Sequence, residues 1–312
     1  EEVEESSNSL GFTEKYYMQK ITGILTNTKE KGKSITIENE YTTSNVVTER
    51  YEVGDKLLIQ DKEIKSLKRD SYLIAVTGIF ILGLLCIGYQ QGLFTIISVV
   101  TNTIIFCIGI KIYLNGIPLL LLCIIESFLF ASISLLLTNG FHKKTYLSIL
   151  SVFLSFTILV CLSLLVTKIT NYKGISFNEI SFLTVPVTDV LICELLIGGL
   201  GAIMDIAITI TSAHNELIVK NPSITKKELR ISLSNIGSDV MGTMINVLFF
   251  TYFCGSLPVF VLAIRNGYSV FNFFSTNFSI ELSRFLIGSI GILLTIPITI
   301  FLSTNLYKRG EK

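Results

Sequence analysis

The chain has 312 residues, of which half are hydrophobic and 16% charged, with a formal net charge of +1. A mean hydropathy of +0.63 excludes a pair of ordinary soluble domains and points to an integral membrane protein. The near-neutral balance, without a basic patch interleaved with aromatics, gives no ground for a nucleic-acid partner.

Residues 1–15 begin acidic and Ser-rich and are expected to be a disordered lead. Because the first residue is Glu1 and not Met, an earlier anchor or signal segment is expected ahead of it. Residues 16–64 change character. The runs YYMQKITGIL, KSITIEN, NVVTERYEV and KLLIQ are short, β-branched and partly alternating, with turn signals at Lys31-Gly32-Lys33 and Gly54-Asp55. Four or five strands of a small barrel or sandwich are expected, with a core thin enough to need support from the membrane part. Glu38, Glu40, Glu49 and Glu52 read as the solvated face of these strands, not as an acid/base pair.

After the basic run Lys65, Lys68 and Arg69, residues 65–312 form a series of segments near the ~20 residues that cross a bilayer. Spans are expected at about 72–88, 93–113, 117–137, 146–167, 187–213, 240–264 and 282–304. The fold class is therefore a membrane α-helical bundle of about seven spans, preceded by a small all-β domain. Lys143, Lys144, Lys220, Lys226, Lys227, Arg230, Lys308, Arg309 and Lys312 fall on one side. The less basic set, Lys111, Lys168, Lys173, Arg265 and Arg284, falls on the other. Basic loops stay in the cytoplasm, so the C-terminus should be cytoplasmic and the β-domain extracytoplasmic. The run Lys65–Arg69 opposes that orientation.

Cys86, Cys107, Cys123, Cys161, Cys193 and Cys254 stand singly in apolar runs, without disulfide or zinc spacing. His142 and His214 each lie near an expected span end and read as interfacial. No metal or cofactor is expected.

The stretch ELLIGGLGAIMDIAITITSAHNE, residues 194–216, puts ionisable groups into an apolar run. At helical spacing Glu194, Gly198, Gly201, Asp205, Ser212 and Glu216 share a line, with Thr209 beside it. A carboxylate at lipid-tail depth costs at least ~2.5 kcal/mol, and it normally faces protein or water. Residues 185–217 would make a helix of about 50 Å, longer than a ~30 Å hydrocarbon layer, with Pro186 suited to its first turn. A tilt, or a break near Gly198, Gly199 and Gly201, is expected; close helix packing is the favoured reason for those glycines. Broken helices at the midplane are a transporter device, which keeps a ligand-binding break open.

In DVMGTMINVLFF, Asp239, Gly242, Thr243 and Asn246 share a face. Asp239 also suits a helix N-cap after the polar stretch 225–238. Asp205 and Asn246 are candidates to meet across a glycine-lined interface. Gly288, Gly291 and Thr295, followed by Pro297 and Thr299, form a third small or polar face, and Glu281 and Arg284 are spaced to pair. Glu126 is a candidate proton-binding residue or a hydrogen-bonded structural acid, and Asn102 reads as interhelical glue.

The segments GGLGAIMDIAITITSAHNEL and NIGSDVMGTMINVLFFTY, with the ending GSIGILLTIPITIF and the earlier YEVGDKLLI, resemble the bacterial YibE/F-like family of multispanning membrane proteins. The resemblance covers nearly all of the chain. It implies a bacterial cell membrane and a related protein as partner, and it implies an anchor span ahead of the β-domain that this sequence lacks.

The leading expectation is a permease or transporter component with a polar site around Asp205 and Asn246 and Glu194 nearby. A non-transporting scaffold or accessory subunit of an envelope complex is the alternative, with the lipid bilayer and either a related membrane chain or a second copy as partners. No phosphate-binding loop, zincin helix or nucleophile elbow is present, so no enzyme is expected. An intramembrane hydrolase using Asp205 and Asp239 ranks last, because Asp239 is expected near the cytoplasmic edge and Asp205 deeper.

Overall fold

The computed structural model describes residues 2–7, 13–27, 31–43, 49–60, 63–170, 187–276 and 278–306; Pro186, Lys173, Lys308, Arg309 and Lys312 lie outside them. The chain divides into two units, Glu1–Gly83 with Leu262–Ser269, and Leu84–Val261 with Val270–Lys312.

In the first unit β1 (Glu2–Ser7), β2 (Thr13–Ile24) and β3 (Ser34–Thr42) form an antiparallel sheet in that order. β4 (Leu57–Gln60) and β5 (Glu63–Leu67) form a separate hairpin. The two sheets are not joined into a barrel among the described residues. Alternation sets the faces of β3: Ile35, Ile37 and Asn39 turn inward while Ser34, Thr36 and Glu38 are exposed. Ile37 faces Ile21 across the strands, and Tyr17 stacks on Tyr41 with ring centroids 5.3 Å apart. Gly32 (φ +91°) and Gly54 (φ +106°) make the turns that the sequence signals.

Two expectations fail here. The acidic start is a strand over Glu2–Ser7, because the edge of β2 supplies backbone partners that composition does not reveal. The run NVVTERYEV is not a strand over 49–53; residues 44–48 lie outside the described set. Its backbone is held by side chains instead. Gln19 Nε2 donates to the Tyr51 carbonyl (2.6 Å), Tyr51 N donates to Gln19 Oε1 (3.2 Å), and Asn39 Nδ2 donates to the Glu49 carbonyl (3.0 Å). Burial, with Glu49 beside it, pushes the Tyr51 phenol above its ordinary pKa. Glu49 itself pairs with Arg69.

The helices are α1 (Asp70–Leu114), α2 (Leu119–Asn139), α3 (Lys143–Thr170), α4 (Val187–Lys220), α5 (Lys226–Arg265), α6 (Val270–Thr276) and α7 (Ser279–Leu306). All but the short α6 are long and apolar enough to cross a membrane, six among the described residues. Local chemistry sets their ends. Gly116, Gly140 and Gly267, all at positive φ, follow α1, α2 and α5, and Pro118 precedes α2.

α1 is 45 residues long, about 68 Å at the helical rise, too long for one crossing. It is interrupted at Tyr89, a non-glycine residue at φ 45°. A Cβ on Gly92 would overlap the carbonyl of Leu84, eight positions earlier, so the chain bends sharply at this point. The two parts, 70–88 and 90–114, coincide with the first two expected spans. Seven expected spans thus become six helices, one of them broken.

α4 does the reverse. It runs unbroken through Gly198, Gly199 and Gly201, so no break exists at those glycines. α5 begins at Lys226, well before the expected span, because Thr225 and Glu228 form a capping box: Thr225 N and Oγ1 both donate to Glu228 Oε2 (2.9 and 2.8 Å), and Glu228 N donates to Thr225 Oγ1 (3.3 Å). The polar stretch 225–238 is therefore helix from Lys226 onward, and Asp239 lies inside α5 rather than at its cap.

Contacts across the second unit fix the helix directions. Ser148 on α3 bonds Thr211 on α4 (2.5 Å), and Leu159 on α3 reaches Gly199 on α4. Rising numbers on α3 meet falling numbers on α4, so the two are antiparallel. α7 runs parallel to α4, since Glu194 meets Arg284, Gly199 meets Gly288 and Ile203 meets Gly291. α5 opposes both, with Gly237 against Ile210 and Ile296, and Tyr252 against Gly198. The apolar core lies where α2, α3, α4 and α7 converge around Phe156, Leu159, Leu196 and Ile203, all 0% exposed. Lipid is as apolar as leucine, so tight packing and not water exclusion holds such helices together. At the crossing a Cβ on Gly199 would sit 3.4 Å from the Gly288 Cα, and one on Gly291 3.0 Å from Ile203 Cδ1 and 3.2 Å from Leu159 Cδ2.

Candidate functional site

The acidic line of α4 divides into a paired end and an open middle. At the paired end Glu194 makes an ion pair with Arg284 of α7, which also bonds Glu281 one turn earlier (2.6 Å). The sequence signals the Glu281–Arg284 pair; the cross-helix partner is new. Tyr252 of α5 completes this corner. Its hydroxyl occupies the space where a Cβ on Gly198 would be, with Arg284, Glu281 and Glu194 as charged neighbours. Glu194 is thus a structural ion-pair partner, and Gly198 is a packing glycine whose occupant, Tyr252, was not legible in the sequence.

Asp205 lies within two residues of the midpoint of α4 and is exposed. Its carboxylate has no ion pair or hydrogen bond among the described residues; only its backbone carbonyl accepts, from Thr209 Oγ1 (2.6 Å). Gly201, one turn before it, has nothing within 4 Å of a built Cβ.

Asn246 does not meet Asp205. On α5 the residues turned toward α4 and α7 are Gly237, Met241, Met244, Ile245, Leu248 and Tyr252. Asp239, Gly242, Thr243 and Asn246 lie about half a turn away around the same helix, and all four are exposed. Asn246 Nδ2 donates to the Gly242 carbonyl of its own helix (2.8 Å). A glycine-lined Asp205–Asn246 interface within one chain is therefore ruled out by the direction of the α5 polar face. The antiparallel register brings a second correction. Since Gly237 packs on Ile210 and Tyr252 on Gly198, Asp239 stands opposite roughly residues 208–211. It is about one to two turns from the level of Asp205. No bond joins the two acids among the described residues.

The remaining glycines divide cleanly. Gly199, Gly288 and Gly291 form the α4–α7 crossing, while Gly242, like Gly201, faces open space. Gly237, missed by the sequence reading, lets Ile296 approach to 2.8 Å of a built Cβ.

Glu126 of α2 is 6% exposed, and its Oε1 has no hydrogen-bond partner. The hydrogen-bonded structural role is thereby removed for that oxygen. His214 is 1% exposed inside α4, which extends beyond the expected span end. Cys123 and Cys193 are buried, the thiol of Cys123 donating to the Cys193 carbonyl (3.8 Å); the other four cysteines are exposed and all six are free. Among the described residues no group of three or more His, Cys, Asp or Glu side chains is placed to hold a metal ion.

Six long apolar helices, four of them packed on a common core, with carboxyl groups at mid-helix depth, define a multispan membrane protein. The YibE/F-like protein family matches residues 76–309, and the YibE/F family N-terminal domain matches residues 1–72. The chain belongs to the YibE/F-like family. No curated protein and no solved structure matches it.

Proposed function

We propose that this chain is a component of a membrane permease whose polar site lies on the outward faces of α4 and α5 and is completed by a second membrane chain, either another copy or a related protein. One observation carries the reading: Asp205, Asp239 and Asn246 are exposed at neighbouring depths near the middle of two long apolar helices. Lipid is a poor neighbour for such groups, so protein or water must cover them in the bilayer. In this reading Asp205 binds a proton or cation of the transported species, and Gly201 and Gly242 leave room for a close-approaching helix. Glu194 belongs to the frame.

The break at Tyr89 supports two crossings by α1 and hence seven in all. The helix directions support an orientation, since they gather Lys143, Lys144, Lys220, Lys226, Lys227 and Arg230 at one end of the bundle. Arg230 Nε donates there to Thr304 Oγ1 (3.3 Å). That end is cytoplasmic by the distribution of basic residues in a bacterial cell membrane, and seven crossings then leave the β-domain outside. No enzymatic step is assigned to the chain.

The test is uptake and efflux of a substrate library by reconstituted protein, alone and with its related partner, comparing wild type with Asp205→Asn of equal abundance. Movement lost only in the variant supports the reading, whereas transport retained across pH in Asp205→Asn removes the titrating role. The same exposed faces also favour a scaffold reading, in which they only join chains. Absence of movement in both preparations, with normal assembly, selects it.

A further inference from the structure

A second polar seam runs between the later part of α1 and α2. Gln91 Nε2 donates to the Thr138 carbonyl (3.4 Å), Ser98 Oγ to Ser134 Oγ (3.2 Å), and Asn102 Nδ2 to the same Ser134 oxygen (2.7 Å). Asn102 Oδ1 is buried without a partner. Two helical turns further along α1, a Cβ on Gly109 would overlap Oε1 of Glu126, so the missing side chain of Gly109 is the space that the carboxyl fills. This oxygen is buried, aimed at a glycine α-carbon, and receives no hydrogen bond.

We propose that Glu126, packed against Gly109, is an exchangeable proton-binding site of the membrane domain. The inference does not rest on the role given to Asp205. A buried carboxylate with neither donor nor counter-charge is far more costly than the neutral acid. A metal cation would need several oxygens around it, and a proton needs one. Among the described residues the surrounding elements supply no pairing cation. On α1 the nearest titratable residues in sequence are Cys107, Lys111 and Tyr113, with Cys107 and Lys111 exposed. On α2 there is Cys123, and on α4 Cys193 with Asp189 and Glu194. α3 meets Phe128, half a turn beyond Glu126, with Phe153 and Phe156. Among the described residues none of these forms an ion pair with Glu126. From Asn102 to Gln91 the seam sets amide and hydroxyl groups in a row toward the break at Tyr89.

The test uses the full chain in lipid nanodiscs with a hydrophobic carbodiimide, which adds to protonated carboxyl groups in apolar surroundings, and peptide mass spectrometry across pH. At neutral pH Glu126 is expected to be labelled at least about tenfold more than water-exposed Glu38, and the label to fall about tenfold per pH unit above its midpoint. Gly109→Ala, which displaces the carboxyl oxygen, should lower the label at fixed pH, and Glu126→Gln should abolish it at that peptide. No label on Glu126 at any pH, a label no greater than that of Glu38, or one constant over the whole range overturns the proposal. The wild-type arm decides this even where a variant fails to assemble.

Discussion

Glu194 and Asp205 stand on one line of the same helix, eleven residues apart, and the structure treats them oppositely. Glu194 is fixed by Arg284, which Glu281 holds from the other side, and Tyr252 closes the corner over Gly198. Asp205 has an open glycine one turn before it and no side-chain partner among the described residues. A shared helical face therefore does not make a shared role. Charge paired inside the chain is frame, and in the proposed reading charge left exposed at mid-helix is covered from outside the chain.

Breaking the paired end gives the largest expected effect. Arg284 has a side chain only 18% exposed between two carboxylates, so Arg284→Gln leaves like charges facing each other. A loss of about 3 kcal/mol is expected in unfolding experiments in lipid or detergent. A loss below about 1 kcal/mol would mean that lipid headgroups or water replace the guanidinium. The glycine beside it comes next. Gly198→Ala drives a methyl group into the Tyr252 hydroxyl and should cost about 1–3 kcal/mol by overpacking. Adding Tyr252→Phe removes the clashing oxygen and should recover most of that loss in a double-mutant cycle. Simple additivity of the two changes would show that Tyr252 does not fill the Gly198 space.

Much of this frame was legible in the sequence because it follows from local rules. Apolar runs of span length located every long helix, and the spacing of Glu281 and Arg284 gave their pair. What stayed hidden depends on which face of a helix meets which neighbour. Close packing is the favoured reason for the glycines of α4 in the sequence, but the partners that approach Gly199 and Gly198, namely Gly288 and Tyr252, are residues roughly 90 and 50 positions distant. The polar stripe of α5 was visible as a stripe, but only the packing of Gly237, Leu248 and Tyr252 tells that it points away from α4. The start of α5 was the avoidable miss: Thr225 and Glu228 carry the capping-box spacing in plain sight.

Smaller effects sharpen the other side of the comparison. Gly201→Ala places a methyl group in open space on a continuous helix, so it should stabilise the chain by about 0.5–1 kcal/mol, opposite in sign to Gly198→Ala three residues earlier. If the isolated chain is stabilised while assembly with the second chain weakens, the open space at Gly201 is occupied in the complex. Stabilisation without any effect on assembly would leave that face free of a partner.

The smallest stability change belongs to Asp205→Asn. The substitution keeps the shape of a side chain that makes no bond among the described residues, so unfolding should shift by no more than about 0.5 kcal/mol. The contrast with Arg284→Gln is the point of the measurement. In the proposed reading a carboxylate without a side-chain partner at mid-helix carries, among lipid tails, a cost that the folded monomer does not offset. Should Asp205→Asn instead destabilise the isolated chain as much as Arg284→Gln does, Asp205 is part of the frame after all, and the division of α4 into a paired end and a working middle fails.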